Sequence, residues 1–544
     1  MVKLKKHLKE NLLEICLAAF SFLFSSWLMF STFSYKAGSM LIASKAWSDF
    51  ASSIPLIRSF SFGSNFPPQY PLFPGEPIHY HFIFFAFVGL LEKTGVRLDY
   101  ALNIPSTIGF LSLLLVIYFL AKKLFNSASV GFLSVIFFLF NGSLSFIEFL
   151  KLHPPSINLL ESIVSNKVFP SFGPYDGKIV SAFWNLNIYT NQRHLAFAFF
   201  LSLFIILVLL TPILTKKKLN PLIPAILGIC LGFFFFFHLA VLLSTVIVII
   251  ALAILFKELR IPALIMLSVG GIISIPQYYY LQSGGESFKP LISIGYLAQN
   301  GLTFFSFLRY WFLNLGFHTI LIPLGLFLAT KKLRKIFLAF FLIFILGNTV
   351  QFSPEIAANH KFFNYFMIIG VMFSAFALVK LWSFKHYLKP VVVILIFFLT
   401  LSGIIDFFPI YNDSKIELPD YPVTKDIEWI IKNTPPDSVF LNTQYLYDPA
   451  SMAGRKIFLG WPYFPWSAGY DTHKRGQLRD EILATDSKTV SCHLLKQSKI
   501  DYLEINFLEP NTDIAFMSNV YKEDFSPIYK NNGYQIFEIK NNCR

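Results

Sequence analysis

Charge is scarce in this 544-residue chain: only 14% of residues are Asp, Glu, Lys or Arg, against 55% hydrophobic. So apolar a composition excludes disorder and an ordinary soluble globule. Cysteine is rare as well. The four present (Cys16, Cys230, Cys492 and Cys543) have no metal-ligand spacing. Cys492 and Cys543 can pair if their domain lies in an oxidising compartment, a point the sequence leaves open. A phosphate-cradling glycine loop, a nucleophile elbow and a zinc signature are all missing. The first apolar run, behind Lys3, Lys5, Lys6 and Lys9, lacks a small-residue cleavage site. It is long enough to span a bilayer and reads as an uncleaved first helix.

What the chain has is long apolar runs, which recur to about residue 408, rich in its 65 Phe. Runs of roughly 20 such residues read as membrane spans. The Phe runs, such as Gly232–His238, read as lipid-facing or packing surface. The expected architecture is an α-helical polytopic membrane domain, 1–408, followed by a soluble α/β domain, 409–544. The net charge of +14 sits mostly in short loops, so it reports topology and not a nucleic-acid partner. Basic clusters at Lys122/Lys123, Lys216/Lys217/Lys218, Lys257/Arg260, Lys331/Lys332/Arg334/Lys335 and Lys380/Lys385/Lys389 are expected on the cytoplasmic side. The spans between them fall near 11–33, 101–121, 128–147, 193–214, 221–237, 239–256, 261–281, 306–329, 336–350, 362–381 and 389–408. That is about eleven helices, with the N-terminus inside and the C-terminal domain outside.

The run His79–Gly95, HYHFIFFAFVGLLEKTG, would invert every later cluster if it crossed. The charge rule therefore keeps it on the outer side, and 34–100 becomes one large external loop with two surface-lying helices. In the first, Trp47, Phe50 and Ile54 form an apolar stripe expected to lie on the membrane. Asp49 lies opposite that stripe and faces away from lipid. Pro55 is expected to break or restart the helix, and NFPPQYPLFPGEP to run extended as a roof. The other polar groups expected outside are His153, Thr190–His194, Glu286, Lys289, Pro354–Lys361 and Asp406. Carboxylate, histidines and arginine gathered on one side suggest an external active cavity. A transporter would place ionisable groups in mid-span, where only Arg309 and His318 stand out.

An Asp on a surface-lying helix, then IRSF, NFPP and IHYHF, resembles the GT-C superfamily of polytopic glycosyltransferases, in particular a prokaryotic branch. NQRHLAFAFF (Asn191–Phe200) is similar to that branch, as is the tail with DIEWIIKNTPPDSVFLN and AGRKIFLGWPYFPWSAGYD. The resemblance implies an enzyme of the plasma membrane that moves a sugar from a polyprenyl-phosphate donor to an acceptor on the non-cytoplasmic face. It matches Asp49 to the loop carboxylate, which acts as base or, in oligosaccharyl-transferring members, coordinates a metal. The chain departs where relatives often carry a His a few residues later; here stand Ser52 and Ser53.

One carboxylate suffices as base for inverting transfer, because phosphate already leaves well. The competing reading of Asp49 is a helix cap. Arg58, Arg193 and His194 are candidates for the lipid phosphate, with interfacial anchoring as the plain reading of Arg193. Glu76, His79, His81, His360 and Lys361 are candidate cavity-lining groups. His79 and His81 would share one face of an extended stretch. No spacing supplies a third metal ligand, so no metal site is assigned and a divalent cation has no support from spacing. The tail reads as strands DSVFLN, KIFLGW and IDYLEINF, helix DIEWIIKN, and a hairpin turning at Asn532-Gly533. The Gly460–Asp471 loop, rich in Trp and Tyr, reads equally as a sugar-stacking surface or a packing loop. The rival functions are a non-catalytic lipid-glycan-binding membrane protein and a lipid or polysaccharide transporter. Sugar and acceptor stay open.

Overall fold

The computed structural model describes residues 12–173, 175–282, 288–299, 301–507 and 517–544. Lys3, Lys5, Lys6, Lys9 and Glu286 lie outside them. Helix occupies most of each expected span, except 128–147, where Ala128–Leu139 ends well before Ser145–Leu152 begins. Five helices are long and apolar enough to cross a membrane: Leu12–Thr32, Leu98–Phe125, Lys257–Leu281, Ile356–Phe384 and His386–Tyr411. Phe304–Leu315 and His318–Leu328 make a sixth if taken as one span bent by 90°. The expected count of about eleven is not confirmed, because several of the other helices are short. Arg193–Leu209, Leu222–Phe237 and Leu239–Leu255 have 17, 16 and 17 residues. At about 1.5 Å per residue they fall short of a hydrocarbon core of roughly 30 Å.

These shorter helices pack through small residues. A Cβ on Gly228 would sit 2.6 Å from the Met266 carbonyl oxygen, and one on Gly232 would sit 2.6 Å from Ile273. Close backbone approach of this kind is how helices associate where lipid offers no hydrophobic drive.

After the first span, α1 (Leu12–Thr32), the chain forms β1 (Phe33–Lys36), β2 (Ser39–Ala43) and helix α2 (Trp47–Ser61). Pro55 lies inside α2, which runs through it. The expected break does not occur, because α2 is held on both sides by packing. Phe50 and Ile54 are buried, and they belong to one apolar core with Phe440, Leu503 and Phe537 of the tail. The Trp47 ring lies 4.1 Å from that of Tyr447. The stripe therefore faces protein and not lipid, which corrects the membrane-lying reading: the tail supplies the apolar surface.

Helix α3 (Ile83–Lys93) has 11 residues, too few to cross. It packs on α2, where a Cβ on Gly89 would sit 2.5 Å from the Ile57 carbonyl oxygen. Further along come α4 (Leu98–Phe125), α5 (Arg193–Leu209), α6 (Leu222–Phe237), α7 (Leu239–Leu255), α8 (His360–Phe384) and α9 (Lys389–Tyr411).

Past α9 the chain returns to the first loop. Strand β3 (Lys415–Pro419) pairs antiparallel with β2, giving a sheet of order β1-β2-β3. Lys45 and Asp413 form an ion pair at 2.8 Å beside it. The tail then builds a five-stranded sheet from β4 (Val439–Asn442), β5 (Lys456–Ile457), β6 (Tyr502–Asn506), β7 (Tyr529–Asn531) and β8 (Tyr534–Glu538), in the order β7-β8-β6-β4-β5. Strands β6, β4 and β5 run parallel, and β8 is antiparallel to both β6 and β7. The β7–β8 turn has Asn532 and Gly533 at φ 44° and 83°, the left-handed pair a tight hairpin needs. Cys492 and Cys543 are disulfide-bonded, with Cα atoms 5.3 Å apart. The proline-rich strip lies against this unit: Ile457 N–H donates to the Pro71 carbonyl and Gly460 N–H to that of Leu72.

Candidate active site

Asp49 stands in the first turn of α2. Ser52 and Ser53 both donate their hydroxyls to the Asp49 backbone carbonyl. They serve the helix and leave the carboxylate to other partners. The Asn191 side chain, whose Nδ2 donates to the Lys45 carbonyl, and the Lys361 charge both lie within its reach. Burial pushes the Asp49 carboxyl up to about 6, Lys361 and Asn191 pulling the other way. At the start of α8, Lys361 is half-buried and has no hydrogen bond or ion pair among the described residues. Besides Asp49 it faces Glu355 electrostatically.

The aromatic loop of the tail arrives at the same place. Tyr463 donates its hydroxyl to Glu355 Oε2 at 2.6 Å. The Trp461 and Trp466 rings lie 5.5 and 5.9 Å from that of Tyr463. Tyr175, Tyr463, Tyr80 and Tyr447 all feel the Asp49 charge. Tyr447 also donates its hydroxyl to the Trp47 carbonyl, fixing the start of α2. The Asp49 carboxylate and the Lys361 amine thus lie within electrostatic reach of each other, and the Asp49 charge reaches tyrosines of the first loop, the 175 region and the tail.

Histidines gather beside them. His81 ends the extended approach to α3, His194 is the second residue of α5, and His238 joins α6 to α7. Phe82 N–H donates to the Phe236 carbonyl at 2.9 Å, which clamps the approach to the end of α6. Ring centroids are 4.2 Å apart for His81–His194, 4.8 Å for His81–His238 and 5.3 Å for His194–His238. Burial, with the neighbouring histidines and Lys361, pushes the His81 imidazole well below its usual range.

Several expected site residues serve elsewhere. Arg193 donates to the carbonyls of Thr190 and Met29, the Met29 sulfur, Asn103 Oδ1 and Thr32 Oγ1. With its guanidinium spent on tying α1, α4 and α5 together, it has nothing left for a phosphate. Arg58 is buried between Asp420, at 2.6 Å, and Glu92, at 2.9 Å, and also donates to the Met452 carbonyl. It joins the loop to the tail. Glu76 lies near Arg475 and His79. His79 stacks on Tyr470 at 4.4 Å, so it and His81 part company despite their spacing. His360 stacks on Phe183 at 4.8 Å and its Nδ1 meets Asn364 Oδ1. Asp406, expected on the outer side, is buried inside α9 and accepts from Asn141 Nδ2 at 3.1 Å. His153 is exposed and packs on Phe149. The Arg309 charge reaches Lys178, and His318 meets Ser374 at 2.9 Å within the helices.

The sequence reading did not assign Glu355, Tyr463, Tyr175, Tyr447 or His238 to the site. Only Glu355 and Tyr463 carried a signal, lying within Pro354–Lys361 and the aromatic loop Gly460–Asp471.

No family model matches the chain, and no curated protein matches it. Among solved structures it is similar to the archaeal oligosaccharyltransferase AglB from Archaeoglobus fulgidus, in complex with an inhibitory peptide and a dolichol-phosphate. The TM-score is 0.49 at 11% identity, over 92% of this chain and 70% of that one. It is likewise similar to the Archaeoglobus fulgidus oligosaccharyltransferase tethered to an acceptor peptide, with a TM-score of 0.49 at 12% identity over the same shares.

Proposed function

We propose that this protein is a membrane-embedded glycosyltransferase that moves a sugar from a polyprenyl-phosphate donor to an acceptor on the non-cytoplasmic face. The observation that carries the reading is Asp49: a carboxyl pushed up to about 6 and facing an unpaired lysine. A base is most effective when its pKa lies near the working pH. Asp49 takes the proton from the acceptor nucleophile as that atom attacks the anomeric carbon. The new glycosidic bond forms while the bond from that carbon to the phosphate oxygen breaks. The phosphate leaves with the electron pair, and Lys361 is placed to receive its charge. Displacement in one step inverts the anomeric centre.

The aromatic rim offers faces on which sugar rings stack. The disulfide of the tail supports an oxidising, extracytoplasmic location. The partners of this reading are the lipid donor, the bilayer and an acceptor still to be identified. The test is transfer from synthetic polyprenyl-phosphate sugars by the full-length protein in liposomes, with glycan mass spectrometry of cells with and without the gene to find the acceptor. Asp49→Asn is expected to abolish transfer. Full activity in that variant would sink the mechanism.

A further inference from the structure

Four buried ring nitrogens meet where α3, α5 and the α6–α7 junction converge: Nε2 of His81, Nδ1 and Nε2 of His194, and Nε2 of His238. None has a hydrogen-bond partner among the described residues. Unsatisfied buried polar atoms are costly, and a native site that holds several in one place calls for an occupant. One nitrogen from each ring lies within 4.8 Å of the other two.

We propose that His81, His194 and His238 hold a divalent transition cation of zinc type, bound by three neutral imidazoles with one position left open. Imidazole is the ligand type such cations prefer, and three protein ligands with an open fourth place are the pattern of reactive zinc sites. Zinc–nitrogen bonds of about 2.0–2.1 Å require the three nitrogens to draw in by roughly 1 Å. Two of the ligands sit on backbone junctions, at the approach to α3 and between α6 and α7. His238 Nδ1 accepts a long cap bond, 3.4 Å, from Val241 N–H. Ligation through Nε2 puts the proton on Nδ1, so this cap is given up.

Lys361 is the cation whose charge reaches all three rings. A second cation beside it needs an anion between them, and a phosphate oxygen at the fourth position meets that need. The identity of this anion rests on the glycosyl-transfer reading above, whereas the cation does not.

The test uses the full-length protein in detergent, purified on an affinity tag free of histidine and stripped with a chelator. Co²⁺ is added as probe and its visible absorption recorded, and Zn²⁺ is then used to displace it. One equivalent of tetrahedral cobalt is expected, displaced by zinc. His81→Gln, His194→Gln and His238→Asn are each expected to weaken binding by more than about 100-fold, beyond the loss typical of an outer-shell partner. The asparagine keeps an acceptor for the α7 cap. Asp49→Asn is expected to bind cobalt like the parent, and so is a check on folding that does not touch the three rings. No cobalt band in the parent, or parent-like binding in all three histidine variants, overturns the proposal. Cobalt binding with no transfer from any polyprenyl-phosphate sugar upholds the cation site and counts against the donor reading alone.

Discussion

Replacing Asp49 with asparagine should make the protein inactive and more stable, and the gain should depend on pH in a defined way. The folded carboxyl is raised from 3.8 to about 6. A shift of about two units corresponds to about 3 kcal/mol of penalty on the ionised form. Because the residue is only partly shielded from water, a measurable effect of about 1–2 kcal/mol is the sounder expectation. The direction follows from linkage. A group whose folded pKa is raised stabilises the fold below its unfolded pKa and loses that contribution as pH rises through the folded value. Below about pH 4 both states hold Asp49 protonated, and asparagine changes little. Between about 4 and 6 the folded parent takes on a charge its surroundings disfavour, and the variant does not. The gain grows across that window and stays level above it. The assay is thermal unfolding of parent and variant in one detergent at pH 4 and pH 8, beside transfer activity. A variant no more stable than the parent at pH 8, or equally stabilised at both, would refute the claim that burial governs this carboxyl.

Lys361→Met is expected to move the acid limb of the transfer pH profile upward, since the lysine charge holds Asp49 down. It should also raise the KM for the lipid donor by about tenfold or more, a charged hydrogen bond being worth roughly 1.5–3 kcal/mol. Arg58→Met strands Asp420 and Glu92 in the core and is expected to cost about 3–5 kcal/mol, read by thermal unfolding and by protease release of the tail. Adding Asp420→Asn and Glu92→Gln should recover part of that loss. Reduction of Cys492–Cys543, which are 51 residues apart, is expected to destabilise the tail by about 4 kcal/mol in the loop-entropy picture, read by limited proteolysis with and without reductant.

Periodicity made the helices legible, and turn chemistry made the tail legible, down to the Asn532-Gly533 hairpin. Composition alone could not count spans, because a 17-residue helix such as α5 is as apolar as the longer ones. The stripe at Trp47, Phe50 and Ile54 was visible, but an apolar face does not say whether lipid or protein covers it, and here it is the tail. Arg58 and Arg193 looked like anion binders because an unpaired guanidinium in sequence gives no hint of Asp420 or of the Met29 and Thr190 carbonyls. The three histidines were invisible as a set, since 81, 194 and 238 converge only through the packing of α3, α5 and α6. Asp49 itself was singled out by its place on the helix; its neighbours in the tail were not.

The strand β3 and the Arg58–Asp420 pair close the first loop with chain that lies 362 residues further on. On a ribosome adding about 5–20 residues per second, the loop waits roughly 20–70 seconds for that partner. Until then β2 has an open edge, Arg58 lacks one carboxylate and Asp49 lacks the Tyr447 anchor of its helix. A premature stop anywhere before Asp420 therefore leaves a membrane body with no working centre. Assembly of the site therefore waits on the tail, which sets its timing as well as walling it.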